Sequence, residues 1–310
     1  MASSSHEIGE DSLRTINDAL RAQASEHSPW LPLESNPVLF TQFAHSVGLS
    51  PGWGWHDVLG LDEQLLEMVP QPCCALILLF PCSEAIFATR RAEELLLRQR
   101  NEPVPSAFFL KQHAEFGNAC GSIASIHALS NSDWAYEEIS NAARQGSTLG
   151  AFVEQEKESS PSERGRALLR APGLKFASDC AASGDAAQTA LPRRDGPDLD
   201  HHFAAFVVGK PRETDAGAQY RLLELDGTKA CPVDHGPIDF SSSGGVVNEE
   251  SGSSIERTRD PSMDQARDLL ARHPRAVLCA AARVIRKRFM EVDPENIEFS
   301  VMALCKNPTA

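Results

Sequence analysis

The run Cys74-Ala-Leu-Ile-Leu-Leu-Phe80, set between Pro72 and Pro81, constrains the fold more than any other part of the chain. It is too short to cross a membrane as a helix, and it has no polar side to turn towards water. It therefore predicts a strand covered on both faces. Two later segments alternate instead. Residues 202–208 put Phe203, Ala205 and Val207 on one side, and residues 220–225 repeat the pattern after a polar loop. Ile297, Phe299 and Val301 give a last strand, and residues 106–110 a brief strand or an approach to a site. Helical spacing occupies 38–44 (closed by Gly48), 62–68, 84–100 and 149–169, with a break at Ser160-Pro161. It returns at 275–291 through Val277, Ala281, Val284, Ile285 and Phe289. Residues 171–200 are rich in Ala, Ser, Gly, Asp and Pro and show no clear period, which predicts a lid or a disordered segment. No internal repeat is present.

Hydrophobic residues are 42% of the 310, enough for an ordinary core, and the length allows one large domain or two modest ones. The formal net charge of −14 argues against nucleic acid or an anionic membrane as the main partner and suits a basic protein segment. Residues 1–28 are polar and lack the basic and apolar regions of a signal peptide. Leu13, Ile16 and Leu20 leave them open to a frayed helix or to disorder. An intracellular location, cytoplasmic or also nuclear, is expected. The cysteines at 73, 74, 82, 120, 180, 231, 279 and 305 form no CxxC and no zinc-like spacing with histidine. They are read as free thiols in a reducing compartment, with no metal and no cofactor expected.

Residues 111–131, KQHAEFGNACGSIASIHALSN, carry the chemistry. Cys120 follows Gly117, Asn118 and Ala119 and precedes Gly121, and an amphipathic pattern of Ile123, Ile126, His127 and Ser130 begins there. The spacing predicts Cys120 in the first turn of a buried helix, with Asn118 as a cap. A thiol at that point meets unpaired N–H groups and the positive end of the helix dipole, which favour negative charge. Gln112 could add an amide donor. Cysteine, backbone N–H and amide are the parts of an acyl-transfer site.

A cysteine nucleophile needs a histidine in reach and a group to orient it. If 202–208 and 220–226 pair antiparallel, His202 at the start of one strand lies near Asp226 at the end of the other, at one edge of the sheet. Ordinary readings stand beside this one. A cysteine at a helix start is more often a small core residue. His202, next to His201, could be an exposed strand end, and Asp226-Gly227 is a turn signal in its own right. Gln112 could be a plain loop residue.

Segments in order along the chain resemble the ubiquitin carboxyl-terminal hydrolase family of cysteine peptidases, in its small single-domain form. They are WLPLESNP (30–37), GLSPGWGWHDVLGLD (48–62), MVPQPCCALILLFP (68–81), GNACGSIASIHAL (117–129), HFAAFV (202–207), LELDGTKACPVDHG (223–236) and KRFMEVDP (287–294). The resemblance implies an α+β fold, with a central antiparallel β-sheet flanked by helices. It also implies a knotted backbone and a crossover loop over the active site, here about 171–200. Residues 29–310 would be the catalytic domain, with an insertion at 241–260, and 1–28 an extension.

By position, Cys120 is implied as the nucleophile and His202 as general base and then acid. Asp226 would orient the imidazole, and Gln112 with the Cys120 N–H would form the oxyanion hole. Ubiquitin is implied as substrate and partner, with a closely related ubiquitin-like protein beside it. Its contacts would come from Pro32, Leu33, Glu34, Ser35, Asn36 and Pro37, and from Ser183, Gly184, Asp185, Gln188 and Thr189. The last strand would add Asn296, Ile297, Glu298, Phe299, Ser300 and Val301. The enzyme would act as a monomer on small or unfolded adducts and on precursors.

The chain departs from the family pattern in several places. Two extra residues lie between Gln112 and Cys120, so the amide must reach across a bulged loop. Ser122 replaces a threonine, Asp234 replaces an asparagine, and the segments 209–219 and 241–260 are long. A ubiquitin-binding protein with weak or no turnover is the competing reading. A papain-like general protease fits less well, because the Cys120-to-His202 spacing and the GNACGS context differ from that family's.

Overall fold

The structure, a computed structural model, describes residues 29–99, 107–132, 146–187, 200–209, 219–240 and 269–308. Its strands are β1 (Trp53–Asp57), β2 (Cys73–Pro81), β3 (His201–Gly209), β4 (Arg221–Leu225), β5 (Val233–Pro237) and β6 (Ser300–Lys306). They form one sheet in the order β1-β6-β2-β3-β4-β5, every neighbouring pair antiparallel. The uniformly apolar run is β2. It lies between β6 and β3, and all its residues except Leu79 are buried.

Helices cover both faces: α1 (Pro37–Val47), α2 (Glu63–Glu67), α3 (Glu84–Gln99), α4 (Cys120–Ser130), α5 (Thr148–Glu156), α6 (Pro161–Leu169), α7 (Pro172–Ala182) and α8 (Ala276–Ile285). Strand alternation sorts β3 between the faces. Phe203 turns towards Gly121 of α4 and Phe40 of α1, whereas Phe206 meets Phe289 and His235 on the opposite face, where α8 packs. This is the expected α+β architecture.

Local chemistry sets the helix boundaries. The Val38 N–H donates to Asn36 Oδ1 at 2.9 Å, Pro37 opens α1, and Gly48 closes it at φ 124°. Asp62 caps α2. The break at Ser160-Pro161 is a capping box: Glu163 N–H donates to Ser160 Oγ, and the Glu163 carboxylate accepts from the Ser160 N–H. Helix α8 runs on as a π-helical turn, Arg286–Met290, which ends the long helix expected at 275–291.

Three expectations are corrected. Residues 171–182 are not a lid, because they form α7 and its lead-in. The period of α7 is carried inward by Ala177, Ala181, Ser178 and Asp179, small or polar residues that a hydrophobic pattern does not register. Asp179 accepts from the Leu31 N–H at 2.9 Å and from Lys175 at 2.5 Å. The last strand is Ser300–Lys306, starting three residues later than Ile297 implied. There, Asn296 Oδ1 accepts from the Glu298 N–H and folds a turn, leaving Ile297 89% exposed. Residues 107–110 form no strand, which leaves the other reading offered for them, an approach to the site. Strands β1 and β5 were not expected at all. The segments 1–28, 188–199 and 241–260 lie outside the described residues, as do connections on which the implied knot depends.

Gly165 shows how tightly α6 is seated. A Cβ there would lie 2.1 Å from the Lys111 carbonyl oxygen and 2.8 Å from His113 Cδ2. A Gly-to-Ala change inside a helix usually stabilises by about 0.5–1 kcal/mol. Here Gly165→Ala is expected to destabilise by about 1–3 kcal/mol through overpacking. Urea denaturation measures this, and an unchanged or higher midpoint would refute the close approach.

Candidate active site

The β3–β4 register sets Ala205 opposite Leu225, which brings Asp226 across from Ala204 and onto the same face as His202. His202 Nε2 lies 2.8 Å from Asp226 Oδ1. Cys120 lies beside the imidazole, close enough to act on its charge, and Nδ1 is the ring nitrogen not engaged by Asp226. The sequence argument from strand pairing is therefore met in geometry. Cys120 comes from the helix on the other face of the sheet, so the three groups meet where the strands end.

Helix α4 starts at Cys120, but Asn118 is not its cap. Ala119 holds that position at φ −90°, ψ 7°, and no side chain bonds to the first turn. The Ala119 N–H donates to the Gly117 oxygen at 3.0 Å, so a tight turn replaces the cap and leaves the first-turn N–H groups facing the site. Nor is the helix amphipathic, for Gly121 through Leu129 are all buried. Its polar residues bind inside: Ser122 Oγ lies 2.5 Å from Ser178 Oγ of α7.

Asp226 sits in a buried ionic cluster. Its carboxylate accepts from Arg90, from the Thr228 N–H at 2.9 Å and from the Thr228 hydroxyl at 2.8 Å. Arg90 also binds Glu224 at 2.8 Å, and its side chain is only 9% exposed. Glu224 takes His235 at 3.0 Å and faces Lys229 at 3.7 Å. Lys229 in turn pairs with Glu93, which also holds Arg288. Burial pushes the Asp226 carboxyl up, but the charges of His202 and Arg90 outweigh it and hold it well below the usual carboxylate range. Burial pulls the His202 imidazole down. Asp226, by charge and hydrogen bond, and then Cys120 reverse this and raise it to about 10. Nothing in the sequence singled out Arg90.

Gln112 lies on an arm that is bonded at nearly every residue. Asn131 accepts from the Phe108 N–H at 2.7 Å, and His127 Nε2 accepts from the Leu110 N–H at 3.2 Å. The Lys111 N–H donates to the Pro161 oxygen at 2.9 Å, and the Gln112 N–H to the Gly227 oxygen at 2.8 Å. His127 acts as an acceptor because burial lowers its pKa to about 4 and keeps it neutral. The extra residues after Gln112 fold into a 3-10 turn, Ala114–Phe116, whose Phe116 ring meets Trp30 edge-on at 5.6 Å. Gln112 Nε2 donates across this turn to the Gly117 oxygen at 3.3 Å.

The three segments expected to dock ubiquitin converge at the start of α1. Ser35 bonds Ser300 at 2.8 Å, and Asn36 Nδ2 donates to the Ala186 oxygen at 3.1 Å. Leu33, Asn36 and Val301 are buried, so their part in the convergence is structural. Pro32, Glu34 and Pro37 remain partly open, as do Ser183, Gly184, Asn296 and Phe299, while Asp185, Ile297 and Glu298 are exposed. Gln188 and Thr189 lie outside the described residues. Among the described residues no cluster of His, Cys, Asp and Glu is placed to hold a metal ion, and no helix is long and apolar enough to cross a membrane.

A helix-borne thiol beside an imidazole that a buried carboxylate holds is the arrangement of a thiol hydrolase. The sequence model of ubiquitin carboxyl-terminal hydrolase, family 1, matches residues 30–256. A ubiquitin carboxyl-terminal hydrolase from Drosophila melanogaster is 33% identical over 276 residues, covering 89% of this chain and 96% of its own. One from Aplysia californica is 36% identical over 208 residues, covering 67% and 86%. Among solved structures, the catalytic domain of Trichinella spiralis UCH37 bound to ubiquitin vinyl methyl ester superposes with a TM-score of 0.58 at 19% identity. It covers 93% of this chain and all of that one. The chain belongs to ubiquitin carboxyl-terminal hydrolase family 1, and is a thiol hydrolase of the deubiquitinating class.

The ion pair has a defined pH signature. His202 is raised from 6.5 to about 10, so its contribution to stability is complete below pH 6.5 and is lost as pH rises towards 10. Asp226 is depressed from 3.8, so its contribution is present above that value and lost as pH falls through its folded pKa. Asp226→Asn is expected to lower the His202 titration by about 1–3 pH units. Imidazole NMR reads it, and an unmoved titration would show that Asp226 does not set the charge on His202.

Proposed function

We propose that the protein hydrolyses the bond at the C-terminal glycine of ubiquitin, with Cys120 as nucleophile, His202 as base and acid, and Asp226 as orienter. The 2.8 Å His202–Asp226 pair, with Cys120 at the helix start beside the imidazole, is the observation that carries this reading. His202 holds the proton given up by the Cys120 thiol, the sulfur attacks the glycine carbonyl carbon, and the carbonyl becomes an oxyanion. His202 gives that proton to the leaving amine, and the C–N bond breaks to leave a thioester on Cys120. Water then attacks the thioester carbon while His202 takes a proton from it, the C–S bond breaks to return the Cys120 sulfur, and ubiquitin leaves with a free C-terminal carboxylate, its acid proton passing to solvent.

The oxyanion is assigned to the Cys120 N–H and the Gln112 amide. An amide nitrogen has two N–H donors, so Nε2 can keep the Gly117 oxygen and still offer one. The arm's backbone bonds give that donor a fixed origin despite the longer loop. Ubiquitin would rest on the converged segments through Pro32, Glu34, Ile297 and Glu298, with Asp185 at the start of the crossover segment. The same proposal takes in a closely related ubiquitin-like modifier, precursors, small or unfolded adducts, and a monomer acting in the cytoplasm or nucleus.

Kinetics on a ubiquitin C-terminal fluorogenic amide test the reading. The wild type is expected to turn over and to form a covalent adduct with a ubiquitin electrophile at Cys120, and Cys120→Ala to do neither. Gln112→Ala should lower kcat by about 10²–10³-fold with ubiquitin affinity retained. Tight ubiquitin binding by a wild type that fails to hydrolyse would establish the binding-protein reading instead.

A further inference from the structure

A second concave site lies on the face of the sheet away from α4. A cleft of about 1040 Å³ opens between α3, the β4–β5 pair and α8. None of Cys120, His202, Asp226 or Gln112 lines it. Its floor is apolar, built from Leu222, Val233, Ala280 and Val284. Its α3 wall carries Leu96, 60% exposed. A large aliphatic side chain left in water next to an apolar floor marks a contact surface.

The charges at the rim are unevenly used. Of the lining carboxylates, Glu93 is held by both Arg288 and Lys229, Asp234 by Arg221 at 2.6 Å, and Asp239 is likewise engaged. Of the lining cations, Arg288 is paired, whereas Arg283 and Lys287 are exposed and make no ion pair among the described residues. They stand four positions apart, where α8 passes into the π-helical turn. The stretch RVIRKRF at 283–289 thus turns two uncompensated cations over an apolar floor, in a chain whose net charge is −14. Screening in physiological salt is about 8 Å, so a segment seated in the cleft meets these cations rather than the distant acidic surface. Small-ligand pockets run to roughly 1,000 Å³ and enclose most of their ligand, whereas this cleft is at that limit and is edged by the exposed Leu96.

We propose that this cleft docks an acidic, amphipathic segment of a partner protein. Its apolar side chains would fill the floor, and its carboxylates would meet Arg283 and Lys287. A partner held there sits on the far face of the sheet from α4.

The test uses the full-length protein and a fluorescein-labelled peptide of about 15 residues, with leucines on one helical face and glutamates on the other. A twin carrying lysines in place of glutamates is the control. Anisotropy is expected to show saturable binding of the glutamate peptide only, weakening as salt rises from about 50 to 200 mM. Arg283→Glu with Lys287→Glu should weaken it by about tenfold or more, and the two glutamine substitutions by less. Both residues are exposed and outside the catalytic machinery, so the variants should keep the wild-type urea midpoint and hydrolysis rate. No binding to wild type, equal binding of the lysine peptide, or undiminished binding to the folded charge-reversed variant would each overturn the proposal.

Discussion

Arg90 is the interaction on which the site depends. Glu224 and Asp226 lie two apart, so strand alternation sends both carboxylates to the same buried face. Two such charges repel and resist desolvation, and a cation between them is the means of keeping both ionised. Arg90 reaches from α3 to bind both, with its guanidinium 4.7 Å from the Phe80 ring centre and 5.3 Å from that of Phe289. The rings cover its faces while its edge donates. An ionised Asp226 then holds His202 in the charged form, so the protonation of the imidazole is set from α3, behind the strands.

The placement of the three candidate groups follows from the two faces of the sheet. His202 and Asp226 belong to the face that carries α3 and α8, and Cys120 to the helix on the other. Groups from opposite faces can meet only beyond the strand ends, so the site sits at an edge. The Gln112 arm crosses that edge and is tied to Gly227 just past Asp226. A longer connection to Cys120 does not loosen it, because Phe116 anchors the added turn on Trp30 and Gly117 adopts φ 62°, a conformation glycine takes without strain.

The sequence made legible what rests on strong periodicity or on strand geometry. The 74–80 run, the alternation of β3 and the Asp-Gly after β4 sufficed to bring His202 to Asp226. The reading of α7 failed where the inward residues were Ala, Ser and Asp. A helix packed closely against α1 needs small residues, and these erase the hydrophobic signal. Asn118 suggested a cap by residue type, but cap geometry depends on backbone angles that residue type does not fix. Arg90 was hidden differently. On a charged helix it looks like one more solvated cation, and only the pairing of β4 with β3 shows that it points inward.

The same helix joins the site to the cleft behind it. Arg90 and Glu93 are one turn apart on α3, one reaching Asp226 and the other Lys229 and Arg288. Lys229 follows Asp226 by three residues, faces Glu224, and is itself buried. Glu94 accepts from the Ala230 N–H at 3.0 Å, so α3 also grips the turn between β4 and β5. Arg288 itself is 41% exposed, so water screens its pair with Glu93, whereas Lys229 with Glu93 and Arg90 with Glu224 and Asp226 are buried. In a low-dielectric interior, loosening one of the inner pairs leaves its partner unpaired at a cost of several kcal/mol, while charge at the exposed rim beyond Arg288 acts through solvent. Helix α3 is thus shared by the cleft and by the surroundings of Asp226, with the electrostatically stiff pairs on its inner side.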